Sequence, residues 1–227
     1  LGDVYKRQLY IEKSQEPAEL TQAKRDGLSR YEDLSGEPKK AVQQALMREQ
    51  GAVCAYCMKR VSIGNLQIEH YIAQNPEDSD YDAALTIDYN NMLGVCTGNK
   101  FGTGARERLT CDQHRGNAKL TVDPRNEASV AKIKYKTDGT IYSDDADIQR
   151  DLDVILNLNC SAAHLKENRR SAMDALKRDM LKNFPGKQVT KAYLEKRLAF
   201  FRDAPVKLSL IHISEPTRPL RLSYAVF

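Results

Sequence analysis

Cys54-Ala-Tyr-Cys57 has the two-residue spacing with which a tight turn aims two thiolates at one metal ion. Tetrahedral coordination then asks for two further ligands, and Cys96 and Cys111 are the natural candidates. A second set stays open, with His114 in place of Cys96, because Cys111-Asp-Gln-His114 repeats the spacing with a histidine. Four cysteines within residues 54–111, an odd total of five and no charged-then-apolar leader favour reduced, zinc-holding thiolates over disulfides. Cys160 stands apart and reads as a spare buried thiol.

Between the cysteine pairs, Leu66-Gln67-Ile68-Glu69-His70 alternates like a strand that ends in an acid–histidine dipeptide. Neighbouring strand residues face opposite ways, so Glu69 and His70 can act separately only if the strand stops there. By itself such a dipeptide is a weak signal, and its position between two metal knuckles is what makes it informative. Asn91 then stands five residues before Cys96, and Cys111-Asp112-Gln113-His114-Arg115-Gly116-Asn117 opens a helix or turn.

In that order and with those spacings, Cys-x2-Cys, Glu69-His70, Asn91, Cys96 and Cys111-Asp112 with Arg115-Gly116-Asn117 resemble the HNH endonuclease family with a zinc-binding frame. The resemblance implies an α+β fold: a ββα-metal module with a structural zinc site, embedded in N- and C-terminal helices. It implies that His70 is the general base, that Glu69 and Asp112 hold a catalytic Mg2+ or Mn2+, and that Asn91 braces the loop that orients the histidine. An oxygen ligand at Asp112 favours a hard cation. In many members the last two cysteines are two residues apart, whereas here Thr97 to Thr110 insert fourteen.

A narrower likeness is to the HNH effectors of Septu-type and retron-associated anti-phage systems. It rests on Tyr10-Ile11-Glu12-Lys13, the stretched loop between Cys96 and Cys111, Arg115-Gly116-Asn117 followed by Val122-Asp123-Pro124, Leu156-Asn157-Leu158-Asn159 and Glu167-Asn168-Arg169-Arg170. That likeness implies a nucleic-acid substrate, DNA ahead of RNA, and an ATPase partner of SMC-like or ABC-like fold. The competing class is a noncatalytic zinc ribbon that binds nucleic acid or protein, in which His70 is only structural.

Cations that could grip phosphate crowd the same stretch: Lys59, Arg60, Lys100, Arg106, Arg108, Arg115 and Lys119. Arg115 and Lys119 are the chosen substrate contacts, Arg115 because it follows Asp112 by three residues. The other use for Arg115 is an ion pair with a nearby carboxylate. Tyr56, inside the knuckle, reads as packing, and His164 as a surface residue.

These groups need a scaffold, and the pattern supplies one. Residues 9–53 form an extended arm and then helices, interrupted near Ser35-Gly36-Glu37-Pro38; Pro38 suits a first turn, and Val42, Ala45, Leu46 and Glu49 recur at helical spacing. Residues 54–125 carry the site, with a glycine-rich stretch from Gly98 to Gly104. Residues 126–207 open with a hairpin, Ile133 to Tyr135 and Thr140 to Tyr142 about Thr137-Asp138-Gly139, and continue as helices from 146. There Leu152, Ile155, Leu156, Leu165, Met173, Leu176, Met180 and Leu181 make the apolar faces.

The two ends read differently: residues 1–8 and 208–227 resemble translated sequencing-adapter sequence and are set outside the fold. Without them the net charge falls from +4 to +2, so bulk charge says little about a polyanionic partner. Apolar runs are far shorter than the ~20 residues that cross a bilayer, so the expected setting is soluble and cytoplasmic, with no membrane partner.

Overall fold

Two helices lead the chain to the first cysteines in the computed structural model, which describes residues 10–74, 82–100, 105–183, 190 and 192–193. The two flanks read as adapter-derived, Leu9, the tip of the glycine-rich stretch, and nearly all of the helical expectation beyond residue 183 lie outside the described residues.

Helix α1 (Ala18–Arg25) carries Glu19 in its first turn and Lys24 and Arg25 in its last, each charge set to favour the helix dipole. Gly27, at φ +105°, ends the turn that follows. After a 3-10 turn at Tyr31–Asp33, helix α2 (Gly36–Glu49) begins where the sequence foresaw an interruption, with Pro38 in its first turn, where a missing N–H costs nothing. Its buried stripe of Val42, Ala45 and Leu46 packs with Leu20, Leu34, Tyr89 and Met92.

Strand β1 (Gln67–His70) pairs antiparallel with β2 (Met92–Val95), Glu69 opposite Leu93 and His70 opposite Met92. Helix α3 (Asp112–Arg115) follows, a single turn of four residues. Strand, strand and short helix thus succeed one another, in a mixed fold of helices and two-stranded sheets.

Beyond α4 (Glu127–Val130), the foreseen hairpin is present as β3 (Ile133–Tyr135) and β4 (Ile141–Ser143). Thr140 is not yet in the strand, since Asp138 takes both its N–H and its hydroxyl. Gly139, at φ +88°, has no room for a Cβ, which would fall 2.0 Å from the Lys166 carbonyl oxygen. The hairpin tip is thereby pressed onto helix α6 (Leu165–Asn183). Helix α5 (Ala146–Arg150) runs on into a π-helical turn, Asp151–Ile155, so the C-terminal region is helical with a break before α6. Leu152, Ile155, Leu156, Leu165, Leu176 and Met180 are buried as expected, but Leu181 is 69% exposed. One residue on from Met180, it is carried about 100° round the helix, off the packed face. No helix among the described residues is long and apolar enough to cross a membrane.

The junction between α2 and β2 rests on Gln50, fully buried just past the helix end. Its amide donates to the carbonyls of Val53 (2.8 Å) and Gly94 (2.7 Å) and accepts from the Gly94 N–H (2.7 Å), pairing the free edge of β2 as another strand would. Gly94 is needed there, because a Cβ would stand 3.0 to 3.2 Å from Leu66 and from the Gln50 amide. Replacing Gln50 by Leu strands two buried backbone groups, the Val53 carbonyl and the Gly94 N–H, while Gly94 O keeps the Ala55 N–H; it should lower the unfolding free energy by about 2 kcal/mol or more, read from urea denaturation.

Candidate metal centre and the acid–histidine site beside it

The first knuckle is a backbone turn before it is a ligand set. Cys54 N–H bonds the Lys59 carbonyl (2.8 Å), Met58 N–H returns to Cys54 (3.0 Å), and Met58 takes a positive φ of 58° to close the turn. Ala55 N–H then bonds Gly94 O (3.0 Å), so the knuckle sits on the edge of β2, whose end delivers Cys96. Cys111 caps α3, also at positive φ, its N–H held by the Leu156 carbonyl at 2.8 Å.

Cys54, Cys57, Cys96 and Cys111 are all buried, with their Sγ atoms within 4.8 Å of one another. The separations are 3.9 Å for Cys54 to Cys111, 3.7 Å for Cys57 to Cys96 and 3.8 Å for Cys96 to Cys111. Zn–S bonds of about 2.3 Å in a tetrahedron put sulfurs about 3.8 Å apart, so the cluster fits zinc. Without a cation the thiols contend for charge: hydrogen bonds from Cys111, Cys54 and Cys57 push Cys96 toward the thiolate, while its neighbours push Cys111 toward the thiol.

His114 is not in the cluster, its Nδ1 being bonded to the Ile155 carbonyl at 2.9 Å. The open choice of fourth ligand therefore falls to Cys96. The long insert does not prevent this, because its ends are pinned together. Thr110 N–H bonds Gly98 O (2.9 Å), and Gly98, at φ +55°, packs so tightly that a Cβ would lie 2.3 Å from Thr110 O. Asn157 holds the insert's base by donating to the carbonyls of Glu107 and Leu109. Cys160 is buried outside the cluster, and His164 is exposed.

Glu69 lies on β1 and Asp112 at the start of α3, and their carboxyl groups are in contact. Burial, and then Asp112 beside it, push the Glu69 carboxyl well above its ordinary range despite an ion pair with Arg115. Such a pair of carboxylates is what a divalent cation relieves, and a hydrated Mg2+ needs no more than one or two. Among the described residues the cysteines form the one cluster of three or more possible ligands, and Glu69 and Asp112 stand outside it as a pair of carboxylates.

Arg115 is 3% exposed and each of its three side-chain nitrogens donates within the protein. Nε bonds Ala118 O; Nη1 bonds Glu69 Oε1, Tyr56 OH and His70 O; Nη2 bonds Tyr71 O. Its position follows the ion-pair reading and leaves no free fork for substrate. Tyr56 also donates to Glu69 Oε1 (3.3 Å), so both named bonds fall on one oxygen. That hydroxyl had no sequence signal beyond its place in the knuckle. Lys119 is exposed in the turn after α3.

β1 ends at His70, which frees the ring from the strand's alternation. Nε2 lies 2.8 Å from the Thr86 carbonyl, so Nε2 carries the proton and Nδ1 keeps a lone pair. Burial lowers the pKa of the imidazole and keeps it neutral. Asn91 stitches the loop after β1: it accepts from Ile72 N–H (2.8 Å) and donates to the carbonyls of Ile72 (3.0 Å) and Leu85 (3.1 Å). Leu85 and Thr86 belong to one 3-10 turn, so this amide holds the piece of backbone that fixes the imidazole. Tyr31, from the turn before α2, meets the His70 ring edge-on at 4.6 Å, a contact the sequence did not announce.

Arg115→Met should leave Glu69 buried without its counter-charge and cost roughly 3 kcal/mol or more of stability. Adding Glu69→Gln to that variant should recover part of the loss in the same chemical denaturation series, because the unpaired charge is then gone.

No family model matches the chain. Over 103 residues it is 27% identical to a protein of Vibrio cholerae serotype O1 biovar El Tor described as "Retron Vc95 putative HNH endonuclease". The match covers 45% of this chain and 47% of that protein, so the chain spans about half the length of the curated relative it matches. This partial likeness supports an HNH nuclease.

Proposed function

We propose that the chain is a metal-dependent HNH endonuclease that hydrolyses phosphodiester bonds of nucleic acid, DNA ahead of RNA, with β1, β2 and α3 as its ββα-metal module. The observation that carries this reading is His70, held neutral with Nε2–H on Thr86 and with no bond to Nδ1 among the described residues, next to the Glu69–Asp112 carboxyl pair.

In this mechanism Nδ1 of His70 takes the proton of the attacking water as the water oxygen bonds to phosphorus and the P–O bond to the leaving strand breaks, the leaving oxygen taking a proton from solvent. Asn91 keeps the base aimed by holding the Leu85–Thr86 turn and the backbone at Ile72. Arg115 acts by fixing Glu69, and Lys119 is the phosphate contact retained from the sequence reading. Mg2+ or Mn2+ bound by Glu69 and Asp112 would supply positive charge to the scissile phosphate and the leaving oxygen. The four cysteines would hold zinc with sulfur alone, and the metal there would contribute folding rather than chemistry. The narrower family likeness extends the proposal to an effector of anti-phage defence acting with an ATPase of SMC-like or ABC-like fold.

The test is plasmid cleavage with added Mg2+ or Mn2+, with and without a candidate ATPase. Wild type is expected to cut, and His70→Ala to lose at least roughly a hundredfold in rate, as removal of a general base does. Cleavage unaffected by His70→Ala would remove His70 as the base, and no cleavage in any arrangement would leave the noncatalytic zinc-ribbon reading in its place. Metal analysis of purified protein should find about one zinc per chain, absent from the Cys54→Ser/Cys57→Ser double variant. Zinc retained by that variant would refute the ligand set.

A further inference from the structure

With Arg115 enclosed, Lys119 alone remains of the two expected phosphate contacts, and the helices ahead of the cysteine frame present another cation. Tyr31 is half-buried, its ring edge-on to His70 with planes at 86°. The Lys39 ammonium lies over the same ring, 5.4 Å from its centroid. Its neighbour Lys40 is bonded to Glu37 at 2.8 Å, whereas Lys39 has no carboxylate partner among the described residues. Lys39 also sits near the N-terminus of α2, where a cation opposes the helix dipole, so helix stability does not account for it. Burial, then the charges of Asp112 and Glu69, hold the Tyr31 hydroxyl up at about 12, which keeps it protonated beside the acidic pair.

We infer that Tyr31 and Lys39 form a substrate-facing wall of the site: Lys39 binds a backbone phosphate of the nucleic acid, and Tyr31 is a positioning residue that seats both the Lys39 ammonium and the His70 ring. The inference rests on the nuclease reading. The two residues are complementary in chemistry, since an aromatic face holds an ammonium without neutralising it and leaves its N–H donors for phosphate.

The experiment is a titration of the full chain against a fluorescently labelled DNA duplex at several salt concentrations, with no divalent cation added. Wild type, Lys39→Gln, Tyr31→Phe, Tyr31→Ala and the Lys39→Gln/Tyr31→Ala double variant are compared, with cleavage rates measured in parallel. Lys39→Gln should bind several-fold more weakly, and its log–log salt slope should fall by about 1. Tyr31→Phe keeps the ring and should behave as wild type. Tyr31→Ala should reproduce the lower slope, gain no further loss from Lys39→Gln, and cut more slowly than Tyr31→Phe. A Lys39→Gln slope equal to wild type, in protein that binds and cuts, overturns this inference alone. Wild type that neither binds nor cuts, with or without the candidate ATPase, overturns the nuclease reading and the inference with it.

Discussion

Four sulfur atoms tie together three pieces of chain: the knuckle after α2, the end of β2 and the cap of α3. Each piece has a backbone reason for its local shape, but the thiols converge only when all three are docked. A metal held by the four thiolates would offset their mutual repulsion and fix the three pieces together. The consequence reaches the neighbouring site directly. Asp112 follows Cys111 and Glu69 lies on the strand paired with β2, so the cysteine frame sets how the two carboxyl groups approach each other.

That approach is electrostatically unfavourable, and the molecule offsets it only in part. Arg115 neutralises one carboxylate from inside, while burial and the second carboxylate keep pressing Glu69 toward its neutral form. Under the proposed mechanism full neutralisation would leave nothing for a cation to do, and no arginine at all would cost several kcal/mol in a site this enclosed. The arrangement stands between those limits, with both protein donors bonded to Oε1 of Glu69.

The segments outside the cysteine frame are more than wrapping. Ile11 is fully buried and its N–H bonds Pro124 O at 2.9 Å, so the arm that reads as extended and polar runs into the core. Glu49, placed by helical spacing among apolar residues, has a side chain only 3% exposed, and for a polar reason. It accepts from Lys13 (2.9 Å), Ser14 N–H (2.8 Å) and Tyr89 OH (2.6 Å), joining arm, helix and the turn that precedes β2. Lys13 in turn donates to Met92 O at 3.1 Å.

The residue sequence alone determined what is local. The Cys-x2-Cys turn, the strand that stops at His70, the Asp-Gly hairpin and the stripe of α2 are all set by spacing over a few residues, where periodicity and turn chemistry act. Tertiary structure decided what depends on separate segments meeting. Cys96 rather than His114 joins the cluster because Gly98 and Thr110 close the insert at its base, and nothing in the spacing encodes that closure. Arg115 turns inward because Glu69, Tyr56 and three carbonyls converge on one point, although three-residue spacing from Asp112 would equally serve a phosphate. Tyr31 reaches His70 across nearly forty residues, a contact no local pattern can carry. Short-range sterics and hydrophobic periodicity are written in neighbours, whereas the partners of a buried charge are chosen by whichever distant groups the fold brings within reach.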